Sequence, residues 1–309
     1  MESLLLIDPQ ARKEIEGGAH AAINLCWTCQ SCSTECPVNL ATNRLNPMKI
    51  IRMANFGLMD ELLSDPSIWY CQSCNRCIHV CPMTVKPADL IAYIRGTMVQ
   101  KNLVSMDTFY RFNDLLRRFQ RVRRYGVLSC LRNEKLALSK DKFDELLTTQ
   151  VKPEEESVLL DFSSELSPSL LKALEDAETL SCFTCQGCSS SCPVFYERGL
   201  FEPQSIFRMA NLGLTRELLS SAFIWLCIGC RRCTDNCGQS VKGHAAIESL
   251  CALAVKEGYV PMSFASKLKD MEKVIYPYLL DEIDKLLGLP RENPGQELNE
   301  LPRSKLWGI

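Results

Sequence analysis

Sixteen of the eighteen cysteines in this chain fall into four blocks that share one spacing, C-x-x-C-x-x-C-x-x-x-C. Proline follows the last cysteine in the first three blocks, and Gly238 follows it in the fourth. Thiolates at this spacing are typical of proteins that hold [4Fe–4S] clusters, so the pattern predicts an electron-transfer protein. The blocks are Cys26/Cys29/Cys32/Cys36, Cys71/Cys74/Cys77/Cys81, Cys182/Cys185/Cys188/Cys192 and Cys227/Cys230/Cys233/Cys237.

The four blocks form two pairs, because the first pair recurs 156 residues later in the chain. Residues 26–86 align with residues 182–242 without a gap, and 30 of the 61 aligned pairs are identical, although only eight of these pairs are cysteine. Such a repeat indicates a duplicated structural unit. The sequence therefore predicts two fused two-cluster modules, residues 1–152 with a helical tail and residues 153–309 with a C-terminal tail.

The spacing also indicates how the cysteines are divided among four clusters. Three cysteines separated by two residues can curl around one cluster, and in two-cluster ferredoxins the fourth cysteine ligates the other cluster of the pair. We therefore predict crossed ligation, which holds the two clusters of a module close enough for electron transfer between them. Ligation within each block and structural zinc are the alternatives. The predicted sets are Cys26/Cys29/Cys32/Cys81, Cys71/Cys74/Cys77/Cys36, Cys182/Cys185/Cys188/Cys237 and Cys227/Cys230/Cys233/Cys192.

The composition is that of an ordinary globular protein, with 46% hydrophobic and 23% charged residues. A net charge of −2 gives no electrostatic case for binding nucleic acid. The apolar stretches at 4–7 and 223–228 are far shorter than the roughly 20 residues of a membrane span, so we predict no direct membrane insertion. For the same reason we predict no signal peptide and expect a cytoplasmic protein, and in that reducing compartment dense cysteines indicate metal binding rather than disulfides.

Helical periodicity runs along most of the chain, and strand-like alternation is almost absent. A helix is predicted from Pro47 and is interrupted at Gly57, and its repeat lies at 203–220. Further helices are predicted at 87–101, at 245–256 and, with a strong apolar face, at 109–125. The predicted fold class is all-α, with two tandem α-helical ferredoxin modules that hold their clusters in cysteine loops.

Three groups of side chains outside the block pattern also support predictions. Six arginines of the 109–125 helix are predicted to dock an acidic surface of a partner, with a solvated face as the alternative. The tryptophans beside the blocks, Trp27, Trp69 and Trp225, are predicted to screen the clusters from water. Cys130 and Cys251 are predicted to be buried, inert thiols. The arginines are Arg111, Arg117, Arg118, Arg121, Arg123 and Arg124.

Gly238 is the one residue that departs from proline after a block. Unlike proline, it has an N–H that can donate to a cluster sulfur, and glycine also adopts backbone conformations closed to other residues. Hydrogen bonds to cluster sulfurs favour the more negative reduced state. We therefore predict that the cluster ligated by Cys237 has a higher reduction potential than its repeat equivalent in the first module, with neutral drift at Gly238 as the alternative.

Each half of the chain resembles the C subunit of heterodisulfide reductase, a protein of the α-helical ferredoxin type. The resemblance covers roughly residues 15–140 and 170–290. It rests on the cysteine blocks, on the Ile-Trp pair before the second block of each half, and on the segment Pro-x-x-Ile-x-Arg-Met-Ala-Asn-x-Gly-Leu at 47–58 and 203–214.

The resemblance implies an all-α fold and an electron relay between a flavin and iron–sulfur subunit and a catalytic subunit that carries Cys-Cys-Gly repeats. This chain contains no Cys-Cys pair, so we expect no substrate turnover by the chain alone. The tandem duplication and Gly238 depart from the family pattern. A free polyferredoxin carrier and the iron–sulfur subunit of a quinone-linked dehydrogenase are the alternative functions.

Overall fold

The computed structural model describes residues 7–151, 168–197 and 200–289, and the regular elements of these ranges are α-helices and short 3-10 helices. The predicted all-α class is confirmed. The chain divides into two compact units: unit 1 comprises Met1–Asp114 and Tyr276–Ile309, and unit 2 comprises Leu115–Ile275. The predicted module boundary between residues 152 and 153 lies outside the described residues and stays a prediction.

Unit 1 contains both cysteine blocks of the first module, each in a loop between short helices. Its longer helices α4 (Pro47–Asn55) and α8 (Pro87–Gln100) pack on each other, and α1 (Pro9–Ala19) packs on α8. A 3-10 turn at Ile23–Leu25 precedes the first block. The helices are α1 (Pro9–Ala19), α2 (Ser31–Thr34), α3 (Pro37–Thr42), α4 (Pro47–Asn55), α5 (Met59–Ser64), α6 (Ser67–Tyr70), α7 (Arg76–His79), α8 (Pro87–Gln100) and the first part of α9 (Met106–Leu131).

Unit 2 contains the two blocks of the second module, which also lie between short helices and 3-10 turns. Helix α16 (Gly243–Lys256) packs against both α11 (Pro168–Asp176) and α13 (Pro203–Asn211). Two 3-10 turns, Thr179–Ser181 and Phe223–Leu226, lead into the two blocks. The remaining helices are α10 (Lys140–Thr148), α11 (Pro168–Asp176), α12 (Gly187–Ser191), α13 (Pro203–Asn211), α14 (Thr215–Ser220), α15 (Arg232–Asp235), α16 (Gly243–Lys256) and α17 (Phe264–Leu286), whose last part belongs to unit 1.

The helix that begins at Pro47 forms and ends as the sequence predicts. The side chain of Asn46 caps it by accepting a hydrogen bond from the N–H of Lys49 at 3.1 Å, and Pro47 occupies the first turn. Gly57 follows with a left-handed φ of +74°. A Cβ at this position would lie 1.9 Å from the carbonyl oxygen of Asp8, so only glycine fits here.

The other predicted helices are also present, with somewhat different ends. Helix α8 occupies the predicted range 87–101, and α16 begins at Gly243, two residues before the predicted start. The amphipathic segment 109–125 is part of the longer helix α9. Its apolar face is buried as expected, through Phe112, Leu115, Phe119 and Val122.

Trp69, which is fully buried, organises the core of unit 1 beside the second cysteine block. Its ring meets Phe112 edge-on at 5.2 Å between centroids and Phe109 at 6.4 Å. In unit 2 the repeat-equivalent Trp225 packs against Phe264 at 4.6 Å. Large aromatic rings therefore lie directly before both second blocks, where they bury area and hold the loops.

A polar network in unit 1 anchors the residue that precedes Cys71. The hydroxyl of Tyr70 donates to Asp284 at 2.7 Å, and Arg44 pairs with the same carboxylate at 2.9 Å. The guanidinium of Arg44 also lies over the Tyr70 ring, 4.6 Å from its centroid. This network links the end of α17 to the loop of the second block. Among the described helices, none combines the length and the apolar character needed to cross a bilayer.

Candidate iron–sulfur sites

Every cysteine block forms a loop with the same unusual backbone. The residues directly before and after the second cysteine adopt left-handed conformations, with φ between +53° and +72°. Non-glycine residues adopt this conformation at a cost of roughly 1–2 kcal/mol each, and seven of these eight residues are not glycine. A strained geometry that recurs in four loops indicates that the loops are shaped by what their cysteines surround. The residues are Thr28, Gln30, Ser73, Asn75, Thr184, Gln186, Gly229 and Arg231.

The sixteen cysteines line four cavities, and each cavity contains the first three cysteines of one block and the fourth cysteine of the other block of the same module. The cavities enclose about 300 to 390 Å³, open mouths included. The structure thus brings together the same sets that the sequence predicts as crossed ligands. We name them site A (Cys26/Cys29/Cys32/Cys81), site B (Cys36/Cys71/Cys74/Cys77), site C (Cys182/Cys185/Cys188/Cys237) and site D (Cys192/Cys227/Cys230/Cys233).

The two sites of a module adjoin each other. In unit 2, Cys233 lines site C as well as site D. In unit 1, Cys32 of site A lies near enough to raise the pKa of Cys77 in site B, although burial is the larger cause of that shift. In each module, the third cysteine of one block therefore lies close to the neighbouring site.

Apolar side chains complete the walls of the sites. Ile51 and Val85 line site A, and their repeat equivalents Phe207 and Val241 line site C. Ile91 lines site B, where it corresponds to Ile247 of site D. Such walls limit the access of water and lower the local dielectric constant, which are two of the means by which proteins tune a metal centre.

Each module has one site that opens to solvent and one that is mostly buried. Cys29 of site A and Cys185 of site C are exposed. Three cysteines of site B and two of site D are buried. Trp27 lines the mouth of site A and is 70% exposed, so its role in screening a cluster from water stays a prediction. Phe183, its repeat equivalent, is 72% exposed beside site C.

Burial keeps the deepest thiols in their protonated form. It raises the pKa of Cys36 in site B and of Cys192 and Cys233 in site D to about 12. Exposed Cys29 differs, because hydrogen bonding by Ser31 lowers its pKa, and its Sγ lies 3.4 Å from the Ser31 hydroxyl. Metal ligation requires thiolates, so loading sites B and D must release protons.

Backbone N–H groups point at the first cysteine of three blocks. Ser73 donates to Cys71, Thr184 to Cys182 and Gly229 to Cys227, each at 3.4 Å from Sγ. The donors are residues of the left-handed pairs described above. Hydrogen bonds to thiolate sulfur are a feature of iron–sulfur sites, where they help to set the reduction potential.

The arrangement of the cysteines also bears on the zinc alternative. A zinc ion needs four sulfurs at about 2.3 Å from one point. In the part of the chain that the structure describes, no three His, Cys, Asp or Glu side chains converge closely enough to ligate a single ion. The four cysteines of each site stand around a cavity instead. A donor set of four thiols around an apolar cavity fits a [4Fe–4S] cluster.

Two polar residues beside site B were not found by the sequence reasoning. Gln72 lines the cavity, and Arg95 is buried behind it and donates to the carbonyl of Cys71. The repeat contained the signal, because the alignment pairs Gln72 with Ile228, and the same 156-residue offset continued past residue 86 pairs Arg95 with Cys251. Where aligned positions around two equivalent sites hold different residues, the chemical surroundings of those sites differ.

The cysteines outside the blocks are half-buried rather than buried. Cys130 lies 3.8 Å from the carbonyl oxygen of Lys267, and Cys251 lies 3.5 Å from that of Ile224. Burial raises the pKa of both thiols. Neither residue lines one of the four sites.

Comparison with known proteins defines the class first. Residues 25–86 and residues 178–241 each match a family model described as a 4Fe-4S dicluster domain. These segments contain the four cysteine blocks, so the chain carries two tandem iron–sulfur dicluster domains, and its cofactors are [4Fe–4S] clusters.

The chain is also similar to curated C subunits of heterodisulfide reductases. It is 35% identical over 93 residues to the C subunit of the H(2):CoB-CoM heterodisulfide,ferredoxin reductase of Methanothermobacter thermautotrophicus, which covers 29% of this chain and 48% of that protein. It is 35% identical over 109 residues to the iron-sulfur C subunit of the CoB--CoM heterodisulfide reductase of Methanopyrus kandleri, covering 34% of this chain and 56% of that one. The resemblance predicted from the sequence is confirmed.

The chain spans about half the length of the curated relatives it matches. A further relative, the C subunit of the ferredoxin:CoB-CoM heterodisulfide reductase of Methanosarcina mazei, is 34% identical over 97 residues, or 31% of this chain and 59% of that protein. No solved structure matches the chain.

Proposed function

We propose that this chain is the electron-transfer subunit of a heterodisulfide-reductase-like oxidoreductase complex and that it holds four [4Fe–4S] clusters by crossed ligation. The observation that carries the proposal is the set of four cavities, each lined by three cysteines of one block and the fourth of its neighbour. The chain would relay electrons between a flavin and iron–sulfur subunit and a catalytic subunit, in the cytoplasm, without turning over a substrate itself.

Residues of the chain would ligate the clusters, exclude water from them and leave two of the sites open to partner proteins. A bound [4Fe–4S] cluster accepts and releases a single electron. The cysteines hold the four sites, and apolar residues such as Ile51 and Ile247 exclude water from them. Cys29 and Cys185 leave sites A and C open to solvent, whereas sites B and D are mostly enclosed. Partner proteins would therefore approach sites A and C, beside the exposed rings of Trp27 and Phe183.

The assignment to a complex is supported by the relatives, whose names describe them as C subunits of reductases that act on a CoB-CoM heterodisulfide. The absence of a Cys-Cys pair in this sequence agrees with a relay role, because the family's catalytic subunit depends on such pairs. Electrons would then have to be delivered to and collected from other subunits.

Two measurements on anaerobically purified protein test the proposal. Iron and acid-labile sulfide should account for four clusters per chain, with the broad visible absorption of thiolate-to-iron charge transfer. Affinity purification from the native cells should recover a flavin-containing subunit and a subunit with Cys-Cys-Gly repeats. Stoichiometric zinc without labile sulfide would overturn the cofactor assignment. A chain that carries four clusters and elutes alone would instead be a free polyferredoxin.

A further inference from the structure

Gln72 places an unused hydrogen-bond donor in the wall of site B. The residue lies between Cys71 and Ser73 and lines the cavity. Its amide nitrogen Nε2 is buried and finds no acceptor among the residues that the structure describes. A buried donor without a partner is destabilising, so the place of Gln72 in the lining of site B points to an acceptor inside that cavity.

Arg95 places a buried positive charge directly behind the same loop. Its side chain is almost fully buried, and its guanidinium donates to the carbonyl of Ile68 at 2.6 and 2.9 Å and to that of Cys71 at 2.5 Å. The group also lies over the rings of Phe112 and Trp69, at 4.7 and 5.6 Å from their centroids. These contacts fix the guanidinium in one place against the loop that carries a ligand of site B.

The charge of Arg95 has no carboxylate partner in the part of the chain that the structure describes. Among the described residues, no carboxylate lies within ion-pair distance of it. Arginine keeps its proton in proteins, and a buried charge needs an opposite charge nearby. Four cysteine thiolates with a cluster form an anionic group, so site B itself supplies the compensating charge.

The second module shows what the same position contains without these groups. Ile228 stands where Gln72 stands, and Cys251 stands in place of Arg95. Cys251 makes the equivalent contact, since its Sγ lies 3.5 Å from the carbonyl oxygen of Ile224, the counterpart of Ile68. A buried cation also lies near site D, but it comes from a different position in the chain: Arg123 donates to the carbonyl of Leu226 at 3.1 Å. Because both sites have a buried arginine nearby, the test compares the reduction potential of each site in the wild type with that of the same site in its variants.

We infer that Gln72 and Arg95 raise the reduction potential of the cluster in site B. This inference rests on the proposed function, because it assumes a cluster held by Cys36, Cys71, Cys74 and Cys77. Reduction adds one negative charge to the site. An N–H donor and a fixed cation stabilise the reduced form more than the oxidised form, so both groups make the cluster easier to reduce.

The first experiment exchanges the residues that the repeat places in equivalent positions. EPR-monitored redox titrations of the full chain compare the wild type with Gln72→Ile and with Ile228→Gln, and Cys77→Ala identifies the signal of site B. Gln72→Ile should lower the midpoint potential of site B alone. Ile228→Gln should raise that of site D alone. Unchanged midpoints in both variants, with four clusters present, would remove Gln72 from the inference.

The second experiment separates the charge of Arg95 from its hydrogen bonds. Arg95→Gln keeps a donor and loses the charge, whereas Arg95→Lys keeps the charge, and Cys251→Ala is the matched neutral control in the other module. The site B midpoint should fall in Arg95→Gln and stay near the wild-type value in Arg95→Lys, with no change in Cys251→Ala. Equal midpoints in the Gln and Lys variants would remove Arg95 from the inference.

Cluster content gives two further outcomes, which can be told apart from a change in midpoint potential. Loss of the site B cluster from both Arg95→Gln and Arg95→Lys would also overturn the role of Arg95, because the residue would then act only in holding the fold. A wild-type chain without four clusters would contradict the proposed function before any variant is compared.

Discussion

Arg121 and Glu197 form a buried, bidentate ion pair inside unit 2. Nε of Arg121 donates to one carboxylate oxygen at 2.8 Å and Nη2 to the other at 2.9 Å, and the two side chains are only 5% and 15% exposed. The third arm of the guanidinium donates to the carbonyl of Leu147 at 2.7 Å. Arg123 is buried as well, so the prediction that these two arginines dock a partner is wrong.

Replacing Arg121 with alanine should destabilise the protein by about 3 kcal/mol, because it leaves the carboxylate of Glu197 buried without a counter-charge. Denaturant unfolding of the cluster-loaded protein under anaerobic conditions measures the change. The double variant Arg121→Met with Glu197→Leu should recover much of the loss. Lys142→Ala removes an exposed pair with Glu145 and should cost less than about 1 kcal/mol. An equally small effect of Arg121→Ala would contradict the internal role.

Crossed ligation predicts which pairs of cysteine substitutions act on one cluster. Cys26→Ala combined with Cys81→Ala should remove a single cluster, since both residues line site A. Cys26→Ala combined with Cys36→Ala should remove two, because Cys36 lines site B. Iron and sulfide analysis of the two double variants gives the count. Ligation within blocks requires the opposite pair of results.

Gly57 should not tolerate a side chain, because its φ is +74° and a Cβ would collide with the carbonyl oxygen of Asp8. Gly57→Ala is expected to lower the free energy of unfolding by more than about 1 kcal/mol. Gly96 is the matched control, since it lies within α8 and has open space around its Cα. Gly96→Ala should stabilise the protein by up to about 1 kcal/mol. Similar effects of the two substitutions would refute the steric argument.

Gly238 should raise the reduction potential of site C through its N–H alone. Its φ is not in the left-handed region, and a Cβ would meet nothing within 4 Å, so the expected need for glycine conformations is not found. Gly238→Pro removes the N–H and should lower the midpoint of site C. Gly238→Ala keeps the N–H and should leave it unchanged, as read by EPR-monitored titration. Equal midpoints in all three proteins would assign Gly238 no role in tuning.

Cys251 should react slowly with alkylating reagents at neutral pH, because burial raises the pKa of its thiol and the thiolate is the reactive form. A raised pKa in the folded state stabilises the fold fully below the ordinary value of about 8.5, and this contribution is lost as the pH rises through the folded value. Peptide mass spectrometry after iodoacetamide treatment from pH 7 to 10 should show labelling more than about tenfold slower than in the unfolded chain. Labelling at the unfolded rate would contradict the prediction.

The sequence alone determined the parts of this protein that depend on local spacing. The spacing of four cysteines in one block indicates what that block can ligate, so the cofactor class could be predicted, whereas the four crossed sets rest on the pattern of two-cluster ferredoxins. Helix starts such as Asn46–Pro47 depend on capping within a few residues, and Gly57 on a local backbone conformation. The repeat was visible because a duplicated module keeps its ligands and its helix caps together.

Only the tertiary structure decided what surrounds these elements. The periodicity of α9 defines its apolar face, but it does not show that Glu197, 76 residues away from Arg121, covers part of its polar face. The exposure of Trp27 and the burial of Gln72 at the wall of site B depend in the same way on segments distant in sequence. Packing between such segments determines whether each charged group or ring is exposed to water. An exposed arginine can dock a partner, whereas a buried one such as Arg121 forms an internal ion pair.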